Sequence, residues 1–526
     1  MSKSLEITRV FCYNKGMKNK VMTGDFDAQS KRIAELENTV AELSALVKHF
    51  EELFKLSQLK RFCASSEKTA TESGQVTLFG EPEVPVIIPS PQPEEPAQKS
   101  HKQKGKRQED LSKLPLEIVE HDIPESERKC PQCNGSVEEI GVGTRDELKI
   151  IPAKVIRVQH RCKAYKCQTC AETSDKTPII KAEMPTPLIK SSVASPSAVA
   201  YIMTQKHLMH LPFYRLEQDF MRQGVFINRQ NMANWSIQVC EDWLGLVYDK
   251  LRRNLLRHNV LHADETSLQV LREPGKSAQQ KSYMWLYRTS GDAEKPTVLY
   301  EYQPDRGGEH PETFLSGWRG FCHTDGYSAY QGLSGVKTVG CWAHVRRRFD
   351  EAFKIAKAPD SPAKVGLDYC NQLFALERKF AGLPPSKRFE QRMEQSKPVV
   401  EAFFSWAKSM NMPPKLAITR ALGYVLKQEK WLMNVFLDGR LELSNNRAER
   451  SIKPFVIGRK SWLFASSVSG AKASAIAFSI IETARENGLK PFEYLSFLLD
   501  ALPKATSGQI EELLPWGSRV PGRCKL

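Results

Sequence analysis

The sequence predicts a multidomain α+β protein, on three observations. Strand-like apolar runs cluster in one central stretch, helical periodicity dominates both flanks, and two CxxC pairs and a Pro-rich segment divide the N-terminal third. A length of 526 residues fits about three or four domains, and a hydrophobic content of 41% excludes a disordered chain. The formal charge of +15 favours a polyanionic partner. The N-terminus has no signal-peptide pattern, and no apolar run approaches the ~20 residues needed to span a bilayer. These features predict a cytoplasmic protein with no membrane association. Its 12 cysteines are then thiols or metal ligands rather than disulfides.

In chain order, residues 1–27 are a tail without periodicity or assignable role. Residues 28–79 form a helical N-terminal region, in which Ile33, Leu36, Val40, Leu43, Val47, Phe50 and Phe54 step by three and four. That spacing fits a short coiled coil and equally an amphipathic helix folded onto its own domain. Residues 80–110 are a linker, Pro-rich and then basic, read as a solvated tether with phosphate contact as a secondary role. Residues 111–185 form a zinc-binding domain. Cys130 and Cys133 in CPQC, with Cys167 and Cys170 in CQTC, supply four thiolates for a closed structural Zn²⁺ site. A redox dithiol fits poorly, because no βαβ pattern surrounds either pair.

Residues 186–256 read as helical, with a Gly224 turn between two helices. The second helix begins near Asn228 and carries Arg229, Gln230 and Asn231 on its first turn. This is helix-turn-helix spacing, in which such side chains reach DNA base edges; plain helical packing gives the same pattern.

Residues 257–464 hold the core. Strand-like runs begin at Val260 and Leu261, with Asp264 next in HADET, and continue through YMWLYR and TVLYEY. A helical PETFLSGW follows. Then come a strand from Phe321 to Thr324 ending at Asp325, and a strand in TVGCWA, Thr338 to Ala343. A helix opening near Ser444 then carries Glu449. Three strands, a helix, a strand with Asp, a strand and a late helix with Glu is the order of an RNase-H-like α/β fold. A helical insertion at about 345–439 accounts for the distance from Asp325 to Glu449. Arg346 and Arg347 at its start fit DNA-backbone contact and a solvated face equally. His344, at the strand-to-helix turn, fits an assisting role at the site or a structural one. Around Glu449, Asn446, Arg450 and Lys453 add polar and cationic groups suited to a polyanion. Residues 465–526 are C-terminal helices.

The motifs HADET, HTDGYSAY, CWAHVRRRF and SNNRAERSIKP, with the cysteine module and ENGLKPFEYLSFLL, resemble bacterial DDE transposases of the insertion-sequence family numbered sixty-six. The resemblance extends over nearly the whole chain after about Ala28. It implies that Asp264, Asp325 and Glu449 are catalytic and hold two Mg²⁺ ions, with Mn²⁺ an acceptable substitute, for DNA cleavage and strand transfer. It also implies double-stranded DNA partners (element ends and target), a homo-oligomer, and accessory proteins of the same element. Two other readings are a nuclease of the same fold without strand transfer and a zinc-dependent DNA-binding regulator.

Overall fold

The computed structural model describes residues 31–40, 42–44, 46, 47, 50–52, 54, 154–166 and 179–526. The expected tail, the linker and the zinc ligands Cys130, Cys133, Cys167 and Cys170 lie outside the described residues. The described residues fall almost entirely in the first of two compact units, Met1–Cys63 with Val155–Leu526; the second is Ala64–Lys154. Those between 31 and 54 are helical. Ile33, Leu36, Val40, Leu43 and Val47 are each more than 50% exposed, so this apolar stripe is not buried in a core of the described chain.

A short antiparallel pair, β1 (Ala164–Lys166) and β2 (Ile179–Lys181), precedes a group of helices. These are α1 (Pro196–His207), α2 (Phe213–Arg222), α3 (Arg229–Val239) and, after a π-helical turn, α4 (Gly245–Leu255). Ser195 and Asn228 cap α1 and α3 with side-chain oxygens, each accepting an otherwise unsatisfied N–H of the first turn. Gly224 turns α2 toward α3 at φ +79, a conformation that disfavours a residue with a Cβ.

The sheet is built from β3 (Val260–Arg272), β4 (Lys281–Thr289) and β5 (Val298–Gln303), then, after α5 (Glu309–Phe314), β6 (Gly320–His323) and β7 (Val336–Val339). Their order is β5-β4-β3-β6-β7, with β4 antiparallel to its neighbours and β3, β6 and β7 mutually parallel. The insertion follows as α6 (Trp342–Ala356), α7 (Pro362–Phe380), α8 (Pro385–Gln391), α9 (Lys397–Ser409) and α10 (Ala417–Met433). The chain returns through α11 (Asn446–Trp462), β8 (Ala465–Ser467), α12 (Val468–Glu486) and α13 (Pro491–Ala501). β8 runs parallel to the far end of β3.

Two boundaries differ from the sequence reading. The strand expected over Thr338–Ala343 ends at Val339, and α6 starts at Trp342. Beyond Val339 the backbone pairs away from the sheet: Gly340 N–H donates to Trp431 C=O and Trp342 N–H to Leu443 C=O. The helix expected over PETFLSGW stops at Phe314, and Gly317 at φ +77 turns the chain toward β6.

Three cores result. One joins α1–α4, α12 and α13 to the sheet face bearing Leu261, Ala263, Trp285 and Tyr287. A second lies within the insertion around Trp342, Phe349, Phe403 and Phe404. The third packs Ala448, Ile452 and Phe455 of α11 and Phe478 of α12 against Leu268, Val270, Leu286 and Tyr300 on the opposite sheet face. β5 is an edge strand whose outward backbone groups need partners. Small residues let α12 approach it closely: Tyr300 N–H donates to Ser479 Oγ (2.8 Å) and Val298 N–H to Thr483 Oγ1 (3.0 Å). Thr483 Oγ1 in turn donates to Val298 C=O (2.9 Å).

Candidate active site

Side chains two apart on a strand share a face. His262, Asp264, Thr266, Leu268 and Val270 of β3 therefore point toward α11, whereas Ala263 and Glu265 point away. β3 and β6 pair with His262 opposite His323. Two residues past each histidine stand Asp264, within β3, and Asp325, past the end of β6. Asp325 sits just beyond β6, where its carboxylate accepts Tyr327 N–H (2.9 Å). Gly326 follows at φ +96, with Gln428 packed where a Cβ would go.

Glu449 lies in the first turn of α11. The preceding segment, Leu441–Asn445, is clamped across the strand ends. Buried Asn445 accepts from His262 Nδ1 (3.0 Å) and donates through Nδ2 to Ala263 C=O (2.8 Å). Its backbone N–H donates to Cys341 Sγ (3.2 Å). Glu442 N–H donates to His323 Nε2 (3.2 Å), and the Glu442 carboxylate accepts from Arg447 Nε (2.8 Å). The two imidazoles stack with ring centres 4.4 Å apart, both fully buried. Burial lowers the His262 pKa to about 3 and holds that of His323 well below its ordinary value, so both rings are neutral. The 3.7 Å approach of His262 to Glu442 is therefore no ion pair.

The electrostatics join the three acids. Burial raises the Asp264 carboxyl well above its ordinary value, and the charges of Glu265, Asp325 and Glu449 add to the rise. Asp264, Asp325 and Glu449 are not, however, among the groups whose ligand atoms all lie within 4.8 Å of one another. Among the described residues those groups are Cys341, His344 and Glu449, and Asp305, Glu309 and His310. Carboxylates serving two ions ~3.5–4 Å apart stand on different sides of the pair and need not meet that closely. Glu449 Oε1 and His344 Nδ1 are buried without a hydrogen-bond partner, 3.8 Å apart. Unsatisfied buried acceptors are costly, and a cation between the acids would relieve both these atoms and the repulsion at Asp264. The donor set thus fits divalent ions. Glu265, on the other face, is already satisfied: Arg306 Nε (2.8 Å) and the Tyr330 hydroxyl (2.9 Å) donate to it.

The remaining sequence candidates fall into two places. Arg229, Gln230 and Asn231 are exposed on the first turn of α3, while Met232 and Trp235 anchor that helix in the core. Asn446, Arg450 and Lys453 follow i, i+4, i+7 spacing on α11, a stripe beside Glu449; Arg450 and Lys453 are exposed. Arg346 donates to Asn371 (2.9 Å) and Arg347 lies 3.5 Å from Glu449 Oε2. His262, His323 and Asn445 were missed as site residues. The signal was present as the twice-used pattern H-x-D, in HADET and HTDGY.

The family model described as "Transposase IS66 family" matches residues 191–473, and the "IS66 C-terminal element" matches 479–516. The "zinc-finger binding domain of transposase IS66" matches 127–171, and "Transposase C of IS166 homeodomain" matches 49–119. Similar proteins include y4jD of Sinorhizobium fredii, 27% identical over 95% of this chain and 98% of its own length. Another is y4qI of the same organism, 29% identical over 76% of this chain and 75% of its own. Both carry the name "uncharacterized protein".

Proposed function

This chain belongs to the IS66 transposase family, and we propose that it is the transposase of a bacterial insertion sequence, cleaving element ends and transferring them into target DNA on an RNase-H-like core. One observation carries the reading. Asp264 and Asp325 each stand two residues past a paired histidine of β3 and β6, and α11, with Glu449 in its first turn, packs on the β3 face to which Asp264 belongs. The strand order β5-β4-β3-β6-β7 supports the fold assignment.

In this proposal Asp264, Asp325 and Glu449 hold two Mg²⁺ or Mn²⁺ ions. When bound, such ions acidify the attacking water or 3′-hydroxyl and offset charge on the leaving 3′ oxygen. The chain's own residues supply position. The His262–Asn445–Ala263 bridge fixes the start of α11 against β3, and the Glu442–His323 bond fixes the same segment against β6. Glu449 is thereby held from β3, which carries Asp264, and from β6, which leads into Asp325. The α11 stripe of Asn446, Arg450 and Lys453 is suited to the phosphates flanking the scissile bond, and Arg346 and Arg347 to those farther along. Arg229, Gln230 and Asn231 are suited to reading bases of the element end. Cys130, Cys133, Cys167 and Cys170 hold structural Zn²⁺. The exposed stripe from Ile33 to Val47 suits pairing with a second copy.

A strand-transfer assay on pre-cut ends tests the proposal. Joined product supports a transposase. Hydrolysis alone would leave a nuclease, and binding alone a regulator.

A further inference from the structure

Only Gly340 and Cys341 separate β7 from α6, so the first turn of α6 lies at the sheet end where Asp325 also stands. His344 is on that turn. Its Nδ1 faces Glu449 Oε1 across 3.8 Å, too far for a hydrogen bond. Neither atom touches solvent and neither has a hydrogen-bond partner. The other oxygen of Glu449 faces Arg347 Nη2 at 3.5 Å, so Oε1 is the oxygen turned toward the imidazole. With the imidazole proton on Nε2, Nδ1 and Oε1 are two buried electron-pair donors facing each other, ill suited to a merely structural contact. The spacing is close to that of two ligands on one ion: donors each about 2.1 Å from a shared metal stand roughly 3–3.5 Å apart. Burial lowers the His344 pKa, and the charges of Glu449 and Asp325 act against that shift. Cys341 Sγ completes the tight group, but it is buried and already accepts Asn445 N–H. A neutral thiol in that role is a poor ligand for a hard ion.

We infer that His344 is a fourth protein ligand, binding through Nδ1 the divalent ion that Glu449 holds. The inference rests on the two-ion reading of Asp264, Asp325 and Glu449. An imidazole nitrogen in an otherwise all-oxygen set shifts preference from Mg²⁺ toward transition ions. Mn²⁺ is thus the better probe.

The test uses the full chain with its zinc retained and Mn²⁺ alone added. Free Mn²⁺ is followed by electron paramagnetic resonance, and bound Mn²⁺ by its electron-spin-echo coupling to ¹⁴N. Wild type is expected to show coupling to a directly bound imidazole. His344→Gln and His344→Asn should both lose that coupling and bind Mn²⁺ at least about tenfold more weakly. His310→Gln, in the separate Asp305–Glu309–His310 group, should keep it. Coupling that survives in both His344 variants, or is missing from wild type with Mn²⁺ bound, overturns the inference and leaves the carboxylate site standing. Binding that Glu449→Gln leaves unchanged overturns both readings.

Discussion

Replacing Asp264 with Asn removes a charge while keeping the shape and the oxygen that accepts Glu265 N–H at 2.8 Å. In the metal-free protein this carboxyl is burdened by burial and by three neighbouring acids. Because the folded group holds its proton to higher pH than the unfolded one, wild type loses stability as pH rises. The loss begins near the free value of about 3.9, grows through the folded value and is constant above it. Asn does not titrate. Its advantage is absent below about pH 3.9 and complete above the folded value. Relief of one poorly compensated carboxylate is worth about 1–3 kcal/mol, or a few degrees of melting temperature. Divalent ions should reverse the ranking. At a hundredfold excess over its dissociation constant, Mn²⁺ adds about 2.7 kcal/mol to a protein that binds it, and Asp264→Asn forfeits most of that gain. The assay is thermal unfolding of both proteins across pH, with and without Mn²⁺, after dialysis rather than chelation so that zinc stays bound. An Asn variant no more stable than wild type without metal, or one that gains as much from Mn²⁺, refutes the electrostatic reasoning.

Other consequences follow from the same contacts. Asn445→Ala strands two buried partners, His262 Nδ1 and Ala263 C=O, and should cost about 2–4 kcal/mol in urea unfolding; the conservative Asn445→Asp should recover little, since it lacks the Nδ2 donor. Thr483→Val keeps the shape but leaves both edge groups of Val298 unpaired, lowering the urea midpoint by the equivalent of about 1–3 kcal/mol. Lys453→Ala should weaken binding to all duplexes alike and reduce the salt slope by about one. Gln230→Ala should instead reduce discrimination between the element end and unrelated DNA, measured as the ratio of the two affinities at fixed salt.

The setting of Asp325 was legible because a short apolar run ends in local turn chemistry at Gly326, whereas only the start of β3 was legible, the strand continuing past Asp264 to Arg272. Glu449 was legible because Asn445, Asn446 and Glu449 form a compact helix start. The histidine pair was not. His262 and His323 lie in separate motifs, and their stacking depends on the parallel register of β3 with β6, a non-local fact. The start of α6 was misread for a similar reason. Cys341 and Trp342 continue an apolar run, yet Gly340 and Trp342 take their backbone partners from Trp431 and Leu443, far along the chain. The partner of the β5 edge was also hidden, since nothing local in SIIETARE tells a buried hydroxyl at Ser479 or Thr483 from an exposed one.

The central claim is that Asp264, Asp325 and Glu449 act as one metal-holding unit on DNA. The most direct measurement is cleavage at element ends in Mg²⁺ and in Mn²⁺ by wild type, Asp264→Asn, Asp325→Asn and Glu449→Gln, with DNA affinity measured alongside. The account predicts that each variant loses activity by about a thousandfold or more and binds DNA no more weakly than wild type. A variant that cleaves at the wild-type rate would contradict it.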